Sequence, residues 1–138
     1  MNRFTSSLAA QSSFGYLLVR LLVGVILAIS GYNKVFVMGM DGASAFFEKI
    51  GIPLAMLAGP VVSLLELIGG LLLIVGLFTR YVAVLFFIEF IVAAWAKWLP
   101  MNQGYAGARL DMLILVSALL FATNGAGSIS VDAKLGRG

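Results

Sequence analysis

PLAMLAGPVVSLLELIGGLLLIVGLF, residues 53–78, decides the fold. It exceeds the about 20 apolar residues that an α-helix needs to cross a bilayer core. Glu66 is its single ionisable side chain, and no polar face runs along it. A helix apolar all round belongs in lipid or in the core of a large protein, and this chain of 138 residues is too short to supply such a core. Working outward, residues 15–37, 81–99 and 108–124 read the same way, so the chain is an all-α integral membrane four-helix bundle in one domain. Composition agrees: 62% of residues are hydrophobic and 11% charged, against roughly 25% charged in soluble domains.

The links between spans differ. Thr79-Arg80 alone separates the second and third spans, which predicts a tight antiparallel hairpin. The third link, 100–107, is bounded by Pro and Gly, as turns are. The first is long enough for a short amphipathic helix at the membrane surface over 41–50, with Ala45, Phe46 and Ile50 on one side and Ser44, Glu48 and Lys49 elsewhere. It reads as an ordered connector, or as a lid over a pocket. The first span carries Arg20 and has no small-residue cleavage site, so it reads as retained. An even number of spans puts both termini on one side. Lys/Arg divide evenly, with Arg3, Arg80, Lys134 and Arg137 on the terminus side and Lys34, Lys49, Lys97 and Arg109 opposite. Because Lys34, Lys97 and Arg109 sit at helix ends, the balance leans to cytoplasmic termini. Trp95, Trp98 and Tyr105 make an aromatic belt on the other face.

Cysteine and histidine are absent, which removes disulfides, thiolate-held clusters, ordinary zinc sites and histidine-ligated haem. No metal site and no intrinsic cofactor is expected, and the net charge of +3 carries no nucleic-acid signature. Interest falls on the ionisable groups inside the spans, each costing about 2.5–3.5 kcal/mol at the bilayer centre unless partnered. These are Arg20, Lys34, Glu66, Glu89 and Asp111. At 100° per residue, Tyr16, Arg20, Gly24, Leu27, Gly31 and Lys34 share one face of the first span to within about 40°. On the second span, Gly59, Ser63, Glu66, Gly70, Leu73 and Leu77 share another. Small residues allow close approach in lipid, so these faces are expected to meet, with Glu66 inward. A rise of about 1.5 Å per residue puts Arg20 about 8 Å and Lys34 about 29 Å from the terminus side, and the three acids at about 14–20 Å. A bridged polar core is therefore reachable, above all by Arg20 and Glu66. Against it, Lys34, Lys97 and Arg109 read as bases extending to the interface, and Asp111 as a first-turn acid favoured by the helix dipole. Glu89 is open between a member of the polar core and a carboxyl facing lipid or a neighbouring helix.

Arg20 with Gly24, Ser30-Gly31-Tyr32-Asn33-Lys34, Gly51-Ile52-Pro53, Glu66-Leu67-Ile68-Gly69-Gly70, Gly76-Leu77-Phe78-Thr79-Arg80, Asp111, Gly125-Ala126-Gly127 and Asp132 together resemble the DoxX family across nearly the whole chain. The resemblance implies a bacterial inner-membrane protein. Its polar positions fall on Arg20, Lys34, Glu66 and Asp111, and its packing glycines on Gly24, Gly31, Gly69, Gly70 and Gly76. Name-giving members are linked to a membrane thiosulfate:quinone oxidoreductase, which implies a membrane subunit of a quinone-linked redox complex with a redox partner protein. The quinone head group is then expected between the first two spans, with Arg20 and Lys34 donating to its carbonyls and Glu66 or Asp111 relaying protons. Any enzymatic role is expected only as part of such an oxidoreductase complex. Two other readings are open: a non-catalytic scaffold or assembly partner, and a small-solute or proton carrier built as a homo-oligomer.

Overall fold

The computed structural model describes residues 3–136, with side chains from Ser13 onward. Of the terminus-side bases counted above, Arg137 and the side chain of Arg3 lie outside the described residues. The elements are α1 (Arg3–Tyr32), continued by a π-helical turn (Asn33–Val37), α2 (Met40–Lys49), α3 (Ala55–Val75), α4 (Thr79–Trp98), α5 (Gly104–Asn124) and a short α6 (Val131–Lys134). Among the described residues, four helical stretches, Ser13–Val37, Ala55–Val75, Thr79–Trp98 and Gly104–Asn124, are long and apolar enough to cross a membrane. Their outward side chains, such as Leu22, Ile68, Ile88 and Leu113, are more than half exposed, as lipid-facing residues are. The protein is an all-α multi-pass membrane bundle in contact with the bilayer.

Glycine decides which helices meet. Gly24 on α1 lies over Gly70 and Ile74 of α3, where an added Cβ would come within 2.8 Å of the Gly70 carbonyl. Gly31 lies over the Glu66–Leu67 backbone, and Gly70 faces Ala28 in return. The two faces predicted from helical periodicity thus meet, and α1 and α3 run antiparallel in close contact. Gly69, one residue along, faces α4, where its missing Cβ makes room for the Phe86 ring. Helices α4 and α5 form a second close pair, and the core between the pairs holds Leu27, Leu73, Phe86, Phe90, Ile114 and Phe121.

Three boundaries differ from expectation, each for a local reason. Helix α3 ends at Val75 because Gly76 turns left-handed (φ 74°). There Gly76 N–H donates to Leu73 and Leu77 N–H to Leu72 carbonyls at 3.2 and 2.9 Å, a Schellman ending. The hairpin turn is therefore 76–78, and Thr79-Arg80 already belong to α4. Helix α5 starts at Gly104, not 108, so Asp111 lies two turns inside rather than in the first turn.

The connector α2 is helical as expected, and the side that packs on the bundle is the one away from Ala45 and Phe46. Ala43 and Ser44 are buried while Ala45 and Phe46 are exposed. Ser44 is held there by α3. Pro60, inside α3, has no N–H for the carbonyl four residues back. The Ser44 hydroxyl donates to that Met56 carbonyl at 3.4 Å, and Gly59 makes room for it.

Candidate functional site

Two polar clusters occupy opposite halves of the bundle. On the terminus side, the guanidinium of Arg20, 2% exposed, donates Nε to the Leu73 carbonyl at 2.8 Å and Nη2 to Ile74 at 3.3 Å. These are among the last carbonyls of α3, which a helix end leaves without internal partners. Its Nη1 donates to Ala126 and Ile129 at 2.6 and 2.9 Å, which ties the segment after α5 over the end of the bundle. Tyr16 donates its hydroxyl to the Gly125 carbonyl. Asp132, buried, accepts from the Phe78 and Thr79 amides at 2.9 and 3.0 Å, where a carboxylate at a helix N-terminus is favoured. Arg80 donates to the Thr123 carbonyl at the end of α5. Apart from the ties to Ala126 and Ile129, each of these contacts closes a helix end.

Arg20 is thus not part of the midplane polar core. Its side chain turns to the terminus side and its donors are taken up by carbonyls, so no bridge to Glu66 forms.

The second cluster lies between the two helix pairs, towards the side carrying α2. Glu66, 3% exposed and about 16 Å along α3, accepts on Oε1 from Ser30 at 2.6 Å and from Lys34 at 2.8 Å. Lys34 also donates to Ser30 at 2.8 Å. On the facing pair, Lys97 Nζ lies 2.8 Å from Asp111 Oδ2. Glu89, on α4, lies in electrostatic range of Glu66, Lys34 and Asp111, and its Oε1 is buried without a hydrogen-bond partner among the described residues. The interface-seeking reading of Lys34 and Lys97 is therefore overturned: both turn inward, because each meets a carboxylate that would otherwise be buried unpaired. Arg109 stays exposed near the start of α5.

Lys34, Glu66, Glu89 and Asp111 thus come together and Arg20 does not. Ser30 and Lys97 join them. Ser30 had a findable signal, a hydroxyl one helical turn before Lys34; Lys97 had none beyond its place at a helix end.

A cavity of about 720 Å³ runs between the pairs, lined by all six of these polar residues. Its walls are otherwise apolar, with Leu27, Phe47, Phe90 and Ile114 inside. Val61, Leu85 and Ile88, also on its wall, are more than half exposed, so it opens sideways where α3 and α4 diverge. The quinone position expected between the first two spans is not available, since Gly24, Gly31 and Gly70 bring α1 and α3 into backbone contact there.

Lys34→Met should leave Glu66 with one donor and cost about 1–3 kcal/mol. Adding Glu66→Gln should return part of that loss, since coupled sites are not additive. Unfolding midpoints in detergent measure both; a double variant as unstable as the summed singles would contradict the coupling.

Helix order, glycine contacts and a polar-lined, laterally open cavity define a class, a compact four-span membrane protein built around buried ion pairs. The chain belongs to the DoxX family, whose model matches residues 15–98. It is 35% identical over 119 residues to the Bacillus subtilis (strain 168) protein named "Putative oxidoreductase CatD", covering 86% of this chain and 84% of that one. It is 31% identical to the Escherichia coli (strain K12) inner membrane protein YphA, over 86% and 88% of the two chains. Inner membrane protein YqjF of the same organism is also 31% identical, over 89% and 93%. No solved structure gives a significant match.

Proposed function

We propose that this protein is the membrane subunit of a quinone-linked redox complex of the bacterial inner membrane, with the quinone head group held between the two helix pairs. The cavity carries the reading. Its size lies within the roughly 300–1,000 Å³ of small-molecule sites, it opens to lipid where such a ligand is dissolved, and its polar groups converge at one end. Buried polar atoms test the fit. Lys34 has three donors, of which Ser30 and Glu66 take two, leaving one for a carbonyl oxygen. Glu89 Oε1 is unpartnered and suits the second polar end of such a ligand. A bound quinone supplies two-electron redox chemistry; the chain itself holds, orients and shields the head group. With no cysteine or histidine in the sequence, the electrons come from a partner protein. The oxidoreductase name of the Bacillus relative adds support.

Trp95 lines the cavity and provides the assay. Titrating the purified protein in nanodiscs with a short-tailed ubiquinone or menaquinone should quench tryptophan fluorescence saturably. Lys34→Met should weaken binding by about 10- to 100-fold, the scale of one charge-assisted hydrogen bond. Absence of saturable quenching, or wild-type affinity in Lys34→Met, would defeat the proposal.

A further inference from the structure

Ser30 and Lys34 border two separate spaces. One is the cavity between the helix pairs. The other is a groove on the outer side of the last turns of α1, formed with Asn33, Val37 and Met38 at the end of the first span. The helix is π-helical here, over Asn33–Val37, with Met38 N–H reaching the Asn33 carbonyl at 2.7 Å. Such wide turns recur at functional positions. From this groove inward, polar side chains follow one another to the cavity. Lys34 donates to Ser30 and Glu66, Ser30 donates to Glu66, and Glu89 lines the same cavity as Glu66, within electrostatic range of it. A side chain at each step can both give and receive a proton.

The geometry points to a proton route from the groove beside Asn33, through Lys34, Ser30 and Glu66, to Glu89, which acts as the proton-exchanging residue at the cavity ligand. The use of this route rests on the quinone reading above; its existence does not. Two-electron reduction of a quinone to its quinol takes up two protons, one per carbonyl oxygen. The redox partner supplies the electrons. Glu89 gives the protons in succession through its free Oε1, and each is replaced from Glu66, then from Ser30 and Lys34, then from water at the groove. Oxidation of a quinol would run the same route outward. Glu66 and Asp111 were both candidates for this role from sequence. In the fold each already holds a lysine at 2.8 Å, and Glu89 is left facing the ligand space. The charged groups around it are Glu66 from α3, Lys34 beyond α1, Asp111 from α5 and, through Asp111, Lys97 on α4.

Infrared spectroscopy of the purified full-length protein in nanodiscs tests the route without any ligand. A carboxylic C=O band should be present in the wild type, be lost in Glu89→Gln, and shift on transfer to D2O as the proton exchanges. Glu66→Gln and Lys34→Met should each slow that exchange about 100-fold, the lower end of what a positioned proton carrier contributes. Arg109→Ala, at an exposed position outside the cavity lining, should leave it unchanged. Glu66→Gln keeps the size and an accepting oxygen for Ser30 and Lys34, so it decides the matter if Lys34→Met does not fold. Wild-type exchange in Glu66→Gln, slowing in Arg109→Ala instead, or no band attributable to Glu89 would each overturn the route. The fluorescence titration, run in parallel, separates the two ideas: failure to bind quinone defeats the ligand reading, while the exchange rates still judge the route.

Discussion

Arg20→Ala should lower stability by about 3–5 kcal/mol, the scale for removing one partner of a buried charge-assisted network, and free the segment after α5. The four carbonyls that Arg20 serves belong to two stretches distant in sequence, Leu73 and Ile74 at the end of α3, Ala126 and Ile129 beyond α5. Without the guanidinium the Ile74, Ala126 and Ile129 carbonyls lose that donor, Leu73 keeps only the long Gly76 N–H contact at 3.2 Å, and Asp132 loses the nearby positive charge that Arg20 provides. Asp132 in turn caps α4, so the hairpin turn at 76–78 should loosen as well. Arg20→Lys should recover only part of the loss, because an ammonium is a single point with three donors where the site uses a planar fork. Denaturant midpoints in detergent report the energy, and amide hydrogen exchange over 126–133 reports the release. Wild-type midpoint and exchange in Arg20→Ala would refute the assignment.

The second large effect should come from Gly31. A Cβ there would overlap the Leu67 amide and lie 2.7 Å from the Glu66 carbonyl carbon. Both are backbone atoms inside a helix, which cannot rotate away as a side chain can. Gly31→Val therefore has to push α1 off α3. Overpacking costs about 1–3 kcal/mol even where neighbours can adjust, and here the displacement also pulls Lys34 and Ser30 from Glu66. Loss of stability and loss of the proposed quinone binding should appear together. Gly15→Ala is the control, since nothing lies within 4 Å of its Cβ, and its unfolding midpoint should match the wild type. A tolerated Gly31→Val with binding intact would contradict the close α1–α3 contact.

Much of this architecture is legible in the chain. Span length follows from bilayer thickness, and a 100° step per residue puts Gly24, Gly31, Glu66 and Gly70 on inward faces without reference to any neighbour. That step fixes direction within one helix and depth along it. It does not fix which helices stand side by side, nor which way a long side chain turns. Arg20 and Lys34, on one face of α1, diverge for that reason: one turns to the terminus side, the other to the midplane.

The four spans, the glycine-bearing faces of α1 and α3 and the presence of buried charge thus follow from the residues alone. Tertiary structure alone decided the partners. Arg20 answers to backbone carbonyls, which every residue carries and no sequence marks. Lys97 finds Asp111 because α4 and α5 are neighbours. The cavity exists because glycine draws α1 to α3 while α3 and α4 diverge towards the α2 side, leaving space that Lys34, Glu66 and Glu89 line together. Such a space is a property of the gaps between helices, and a single chain of letters carries no record of a gap.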